Sequence, residues 1–166
     1  GGAIASLIGL MAPQRTASLC LLAPGGFGPE INFPVLKDWA EARTRAELQA
    51  VMPMFVGSQA QVQSAEIGIQ MDVRQRPGVV DRLITIMESM SQRGTQGTLP
   101  LDDLAAAAYP VSLIWGDEDQ ILPVSQAQAM VGKMDVQIIK GMGHTPMVEA
   151  PSTVFNCIVD RVRNLR

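Results

Sequence analysis

The chain has 166 residues, of which 47% are hydrophobic and 17% charged, with a formal net charge of −3. These values fit one globular domain with a sizeable core and disfavour disorder. Without basic runs or aromatic-studded basic patches they also give no case for nucleic acid or an anionic membrane as partner.

Two cysteines, Cys20 and Cys157, are too few for a disulfide scaffold, and both fall in apolar patterns that suit buried reduced thiols in a cytoplasmic setting. No apolar run approaches the roughly 20 residues needed to cross a bilayer, and the first residues lack the basic flank of a signal peptide.

In chain order, Gly2 to Met11 comes first. Ile4, Leu7, Ile8 and Met11 recur at spacings of three and four, which predicts a helix burying that side, and Pro13 stops it. Ala17 to Leu22 is a short apolar run ended by Ala23-Pro24-Gly25-Gly26, the pattern of a parallel strand entering a loop. Gly26-Phe27-Gly28 lacks a third glycine at dinucleotide-fold spacing and reads as a plain turn.

From Pro34 to about Gly97 the pattern is helical. Thr44-Arg45-Ala46-Glu47 forms a capping box for a helix through Phe55, and Ser58-Gln59-Ala60-Gln61 offers a second for a helix running toward Arg76. A third helix follows Pro77, with Val80, Leu83, Ile84, Met87 and Met90 on one face and Gly94 just past its end. Met52, Met54, Met71, Met87 and Met90 suit either packing within this block or an adaptable acyl pocket.

Asp102 to Ala107 is expected to form a short helix, and Pro110 to Trp115 a buried strand. Pro123 then opens a helix from Val124 to Lys133 with Ala127, Met130 and Val131 inward. Asp135 to Ile139 gives a third strand. The last helix starts near Pro151 and sets Val154, Ile158, Val162 and Leu165 on one side, with an arginine-rich end that complements the helix dipole.

The chemistry concentrates in two stretches that follow strands. One is Trp115-Gly116-Asp117-Glu118-Asp119-Gln120-Ile121-Leu122-Pro123; the other is Gly141-Met142-Gly143-His144-Thr145-Pro146-Met147-Val148-Glu149, which holds the only histidine. An acid after one parallel strand and a histidine after the next can meet at one end of a sheet. The carboxylate would fix the tautomer and leave the other ring nitrogen free to accept a proton. A single histidine with scattered acids gives no closely spaced metal-ligand set, so metal catalysis is not expected. Neither cysteine has activating surroundings, and no serine of the chain has elbow-like glycine neighbours.

The pair Trp-Gly-x-x-Asp-x-x-x-Pro and Gly-x-Gly-His-x-Pro-x-x-Glu resembles the acid and histidine segments of α/β-hydrolases. The opening Gly1-Gly2-Ala3-Ile4-Ala5 resembles the sequence just after that family's nucleophile elbow, Gly-x-Ser-x-Gly-Gly. Taken whole, the chain is most similar to the hydrolase-type domain of acetoin dehydrogenase dihydrolipoamide acyltransferase-like proteins.

The resemblance implies a partial α/β-hydrolase fold with about three parallel strands and flanking helices. Residues 1–33 and 97–166 would be the C-terminal part of the core, and 34–96 an inserted helical lid. It makes Asp119 and His144 catalytic, prefers Asp119 because it lies four residues before the proline, leaves Asp117 and Glu118 facing water, and makes Glu149 and Pro151 supports. The nucleophilic serine is implied two residues ahead of Gly1, outside this sequence, so the chain alone is expected to be inactive.

The implied parent attacks an ester, thioester or related acyl carbonyl of a small molecule and would need no cofactor. A non-catalytic interaction domain and an acyltransferase-associated domain of a dehydrogenase complex are the alternatives. The first strand would be left with an apolar edge, which predicts self-association or binding of a complementing N-terminal segment.

Overall fold

The computed structural model describes residues 1–90 and 94–163. Its centre is a parallel sheet of three strands in the order β1 (Leu19–Leu22), β2 (Val111–Gly116), β3 (Asp135–Ile139). Leu19 pairs with Val111 and Ser112 with Asp135, so all strands run the same way and end at one edge of the sheet. Every residue of β2 is buried, as expected of a central strand covered on both faces.

Alternation along the strands divides the two faces. Leu21, Leu113 and Trp115 join Leu104, Tyr109, Ile121, Leu122, Ala127 and Met130 in the main core. On the opposite face, helix α9 (Pro151–Arg163) is fastened by an Arg161–Asp135 ion pair and by the Cys157 thiol, which donates to Gln137 Oε1 at 2.7 Å.

Helix α1 spans Gly2–Met11 as its periodicity predicts, but it faces the other way. Ser6 and Gly9 are its buried residues, whereas Ile4, Leu7, Ile8 and Met11 are between 43% and 82% exposed. Close approach is the reason. A Cβ on Gly9 would come within 3.2 Å of Tyr109 Cζ and 3.0 Å of Leu19 Cδ1, so only the small-residue side fits against the sheet.

After β1 the chain runs through a block of helices, α2 (Phe33–Glu41), α3 (Arg45–Val51), α4 (Ser64–Arg74) and α5 (Val79–Met90), with a 3-10 turn at Met52–Phe55. Two small cores hold them together. Ala42, Leu48, Val51 and Ile67 form one, Phe33, Ala40 and Met87 the other. The Arg74 guanidinium joins α4 to α2 by donating to Ala42 O (3.2 Å) and Trp39 O (2.8 Å) while lying 4.8 Å over the Trp39 ring.

Thr44 and Glu47 make the expected capping box on α3. Ser58 caps nothing: α4 begins six residues later behind a Gln63–Glu66 box, because Ser58 is engaged elsewhere. Val80 and Met87 of α5 point inward as expected, but Met90 is exposed.

The second half holds α6 (Leu101–Ala105), α7 (Ser125–Gln128), α8 (Pro146–Glu149) and α9. The expected helix from Val124 to Lys133 is a single turn. The chain leaves it through Gly132 at φ +83° and makes a Val131–Met134 bridge, so Ala127 and Met130 are buried but Val131 is exposed. On α9, Val154 is buried while Ile158 and Val162 remain exposed; Leu165 lies outside the described residues. Among the described residues no helix is long and apolar enough to cross a membrane.

Candidate active site

Strands β2 and β3 each release a loop at the same end of the sheet, and the two loops are zipped together beyond the last strand pair. Asp117 N donates to Ile139 O (3.1 Å), Glu118 N to Met142 O (2.9 Å), and Gly141 N to Asp117 Oδ1 (2.6 Å). The β2 loop is folded back by its own residues, with Trp115 Nε1 donating to Leu122 O at 3.1 Å.

Inside that turn, Asp119 has a fully buried side chain. Its Oδ1 accepts the amides of Ile121 (2.8 Å) and Leu122 (2.9 Å), which orients the carboxylate and leaves Oδ2 for a partner. The partner is His144 Nδ1 at 2.9 Å, so Nδ1 is the protonated nitrogen when the ring is neutral. The imidazole side chain is 23% exposed, and its opposite edge carries Nε2. His144 lines a cavity of about 930 Å³ together with Gly1, Gly2, Leu99, Leu122 and Met147. The two residues singled out by sequence are thus in contact, and the opening glycines line the same cavity as His144.

The flanking acids face water as expected, but they are not idle. Asp117 and Glu118 are exposed residues, yet both carboxylates are in use: Asp117 holds Gly141, and Glu118 accepts from Ser58 N (2.7 Å) and Ser58 Oγ (2.8 Å). The Ser58 amide and hydroxyl hold the Glu118 carboxyl below its ordinary range. Glu149 is the support that the sequence suggested. Its Oε2 accepts Gly57 N (2.7 Å) and Gly143 N (2.8 Å), and its Oε1 accepts Thr145 N (3.0 Å) and Thr145 Oγ1 (3.2 Å).

Sequence reasoning missed the segment Phe55–Gln59, which packs on the histidine loop. Phe55 O accepts His144 N at 2.9 Å, its ring meets the imidazole edge-on at 6.2 Å, and Gln59 N donates to Gly141 O at 3.2 Å. Gly57 and Gly143 let the two backbones touch: a Cβ on Gly143 would lie 2.6 Å from Val56 C. No spacing signals this long-range contact.

Neither cysteine is fully buried, contrary to the sequence reading. Burial, and then the nearby Cys157, push the Cys20 thiol up, with Arg161 opposing them, so Cys20 lacks the lowered pKa of an activated nucleophile. Among the described residues no group of three or more His, Cys, Asp or Glu side chains is arranged to hold a metal.

A parallel sheet whose loops gather beside a cavity at the carboxyl ends of its strands defines an α/β protein with a binding site in the usual place for that architecture. More narrowly, the chain belongs to the alpha/beta hydrolase family, whose model matches residues 1–156.

The subfamily resemblance also has a counterpart. The chain is 27% identical, over 161 residues, to the dihydrolipoyllysine-residue acetyltransferase component of the acetoin cleaving system of Cupriavidus necator, covering 97% of this chain and 43% of that protein. It is 22% identical over 175 residues to monoacylglycerol lipase ABHD6 of Homo sapiens, covering 96% of this chain and 51% of that protein. The meta-cleavage product hydrolase of Pseudomonas fluorescens IP01 shares the fold at a TM-score of 0.84 and 16% identity, over all of this chain and 62% of the other. The chain therefore spans about half the length of the curated relatives it matches.

Proposed function

We propose that Asp119 and His144 are the acid and base of a serine-type site for acyl transfer or hydrolysis, whose nucleophile lies outside this sequence. The observation that carries this reading is the 2.9 Å contact between a fully buried carboxylate and His144 Nδ1 at the ends of adjacent parallel strands. The imidazole would take the serine proton on Nε2 and return it to the leaving group, while Asp119 stabilises the imidazolium. The substrate is an ester, thioester or related acyl carbonyl. Acetyl transfer and monoacylglycerol hydrolysis, named for two of the relatives, both pass through attack on such a carbonyl. The helices of residues 34–96 act as a lid in this reading, and the setting is cytoplasmic.

The test uses aryl esters and a fluorophosphonate probe. The 166-residue chain should match its Asp119→Asn variant in showing neither turnover nor labelling. The chain extended through the coding sequence upstream of Gly1 should show both, and Asp119→Asn there should lower kcat by about 10⁴-fold, as a reversed tautomer does in other serine triads. Labelling of the short chain, or full activity of the extended Asp119→Asn protein, would refute the assignment.

A second reading, an interaction module, is favoured by the exposed Ile4, Leu7, Ile8 and Met11 stripe beside β1, a strand that among the described residues is paired on one side only. It calls for self-association or capture of a complementing N-terminal segment; a sharp monomer by light scattering, with a cooperative melt, counts against it.

A further inference from the structure

We propose that Glu149 is a positioning residue that locks the His144 loop onto the Phe55–Gln59 segment, so that the helices between β1 and β2 set the seating of the imidazole together with Asp119. The inference rests on reading His144 as the proton carrier and adds a control on it from a distant part of the chain.

The geometry is that of a clamp closed by one carboxylate. Gly57 N and Gly143 N, from two segments far apart in sequence, converge on Glu149 Oε2 at 2.7 and 2.8 Å, and Thr145 supplies an amide and a hydroxyl to Oε1. His144 thus has a clamped residue on each side. Its own amide is taken by Phe55 O at 2.9 Å, which also accepts Thr145 Oγ1 at 3.4 Å. The three backbone amides at 143–145 therefore donate to the Glu149 carboxylate and to Phe55 O.

Only a carboxylate satisfies this arrangement, because its four donors require a group that accepts at both oxygens and donates at neither. An amide of the same shape would turn an NH₂ toward either two backbone amides or the Thr145 pair, setting donor against donor. A bond to a charged acceptor is also stronger than its neutral counterpart.

A second contact links the same elements without passing through Glu149. The Phe55 ring touches the imidazole edge-on, Trp39 lies 6.2 Å beyond Phe55, and the Arg74 guanidinium covers Trp39. The helical block therefore reaches His144 both through its backbone and through its ring. A displacement of α2 or α4 has a physical route to the imidazole.

The single histidine makes the test direct and independent of turnover. ¹⁵N spectra of the folded chain, at a pH where the ring is neutral, report which nitrogen carries the proton. The native chain should show one Nδ1–H tautomer. Glu149→Gln should lose that single pattern and show a mixture with the Nε2–H form, while a far-ultraviolet spectrum confirms the fold. A purely structural role for Glu149 would lower the melting temperature and leave the tautomer unchanged.

Thr145→Val, which removes one of the four donors, should shift the pattern less and in the same direction. It decides the question if Glu149→Gln fails to fold. A native tautomer in the folded variants would overturn the inference. Asp119→Asn separates the two levels: if it leaves the native pattern intact, the acid–imidazole reading itself fails. If it alters the pattern and the Glu149 and Thr145 variants do not, only the clamp fails.

Discussion

Gly143→Ala puts the contact between the histidine loop and the helical block to a steric test. A methyl group at 143 would lie 2.6 Å from Val56 C, 2.7 Å from Gly57 N and 2.8 Å from Phe55 O, all backbone atoms that no rotamer change can move. Ordinary contact begins near 3.4 Å, so the segments must part by roughly 0.8 Å. That opening would stretch the 2.7 Å bond from Gly57 N to Glu149 and the 2.9 Å bond from His144 N to Phe55 to the limit of hydrogen bonding or beyond. Overpacking costs about 1–3 kcal/mol and the weakened bonds add to it, for a total of about 2–5 kcal/mol.

In a domain of this size each kcal/mol lowers Tm by about 2–4 °C, so a mid-range loss is about 10 °C. Circular dichroism melts of Gly143→Ala should be read beside Gly97→Ala, where an added Cβ meets nothing within 4 Å. The control should stay within about 0.5 kcal/mol of the parent. If the two variants melt together, the close backbone approach at Val56–Gly57 is wrong, and the clamp loses its foundation.

Glu118 and Arg74 give two further tests. The Glu118 carboxyl is held below its ordinary range by Ser58, so its contribution to stability is present above the unfolded value of about 4.3 and lost as the pH falls through the lower folded value. Urea melts should show Glu118→Gln less stable than the parent at pH 7, with the gap closing below about pH 4; a gap that does not change with pH refutes this. Arg74→Met removes the donors from Ala42 O and Trp39 O and should cost about 2–4 kcal/mol by urea denaturation. An unchanged midpoint would mean that the guanidinium does not hold α2 to α4.

What the sequence revealed, and what it concealed, follows the range of the forces involved. β2 was legible because a strand covered by neighbours must be a short, largely apolar run, and Val111 to Trp115 is one; β3, an edge strand that is only partly buried, was legible more weakly through Val136, Ile138 and Ile139. Asp119 and His144 were legible because punctuated loops follow those runs. The side on which α1 packs was not, since periodicity weighs hydrophobicity, whereas Gly9 and Ser6 face the sheet for lack of volume. Ser58 fits the capping pattern, but Glu118, sixty residues away, takes its hydroxyl and amide. The four-residue α8 is too short to carry a period at all. Contacts between distant segments leave no local trace, which is why Phe55 went unnoticed.

The bonds around the imidazole differ greatly in how much chain they enclose. Asp119 and His144 are 25 residues apart, an excursion of one helical turn and one strand, while Glu149 reaches Gly57 across 92. Closing the larger circuit costs about 1 kcal/mol more in chain entropy. The acid–imidazole pair can therefore assemble within a unit little larger than a supersecondary motif, and the outer fastening tightens afterwards. Under mild denaturant the order reverses, so amide exchange at Gly57 should quicken while Ile121 and Leu122, held by Asp119, stay protected.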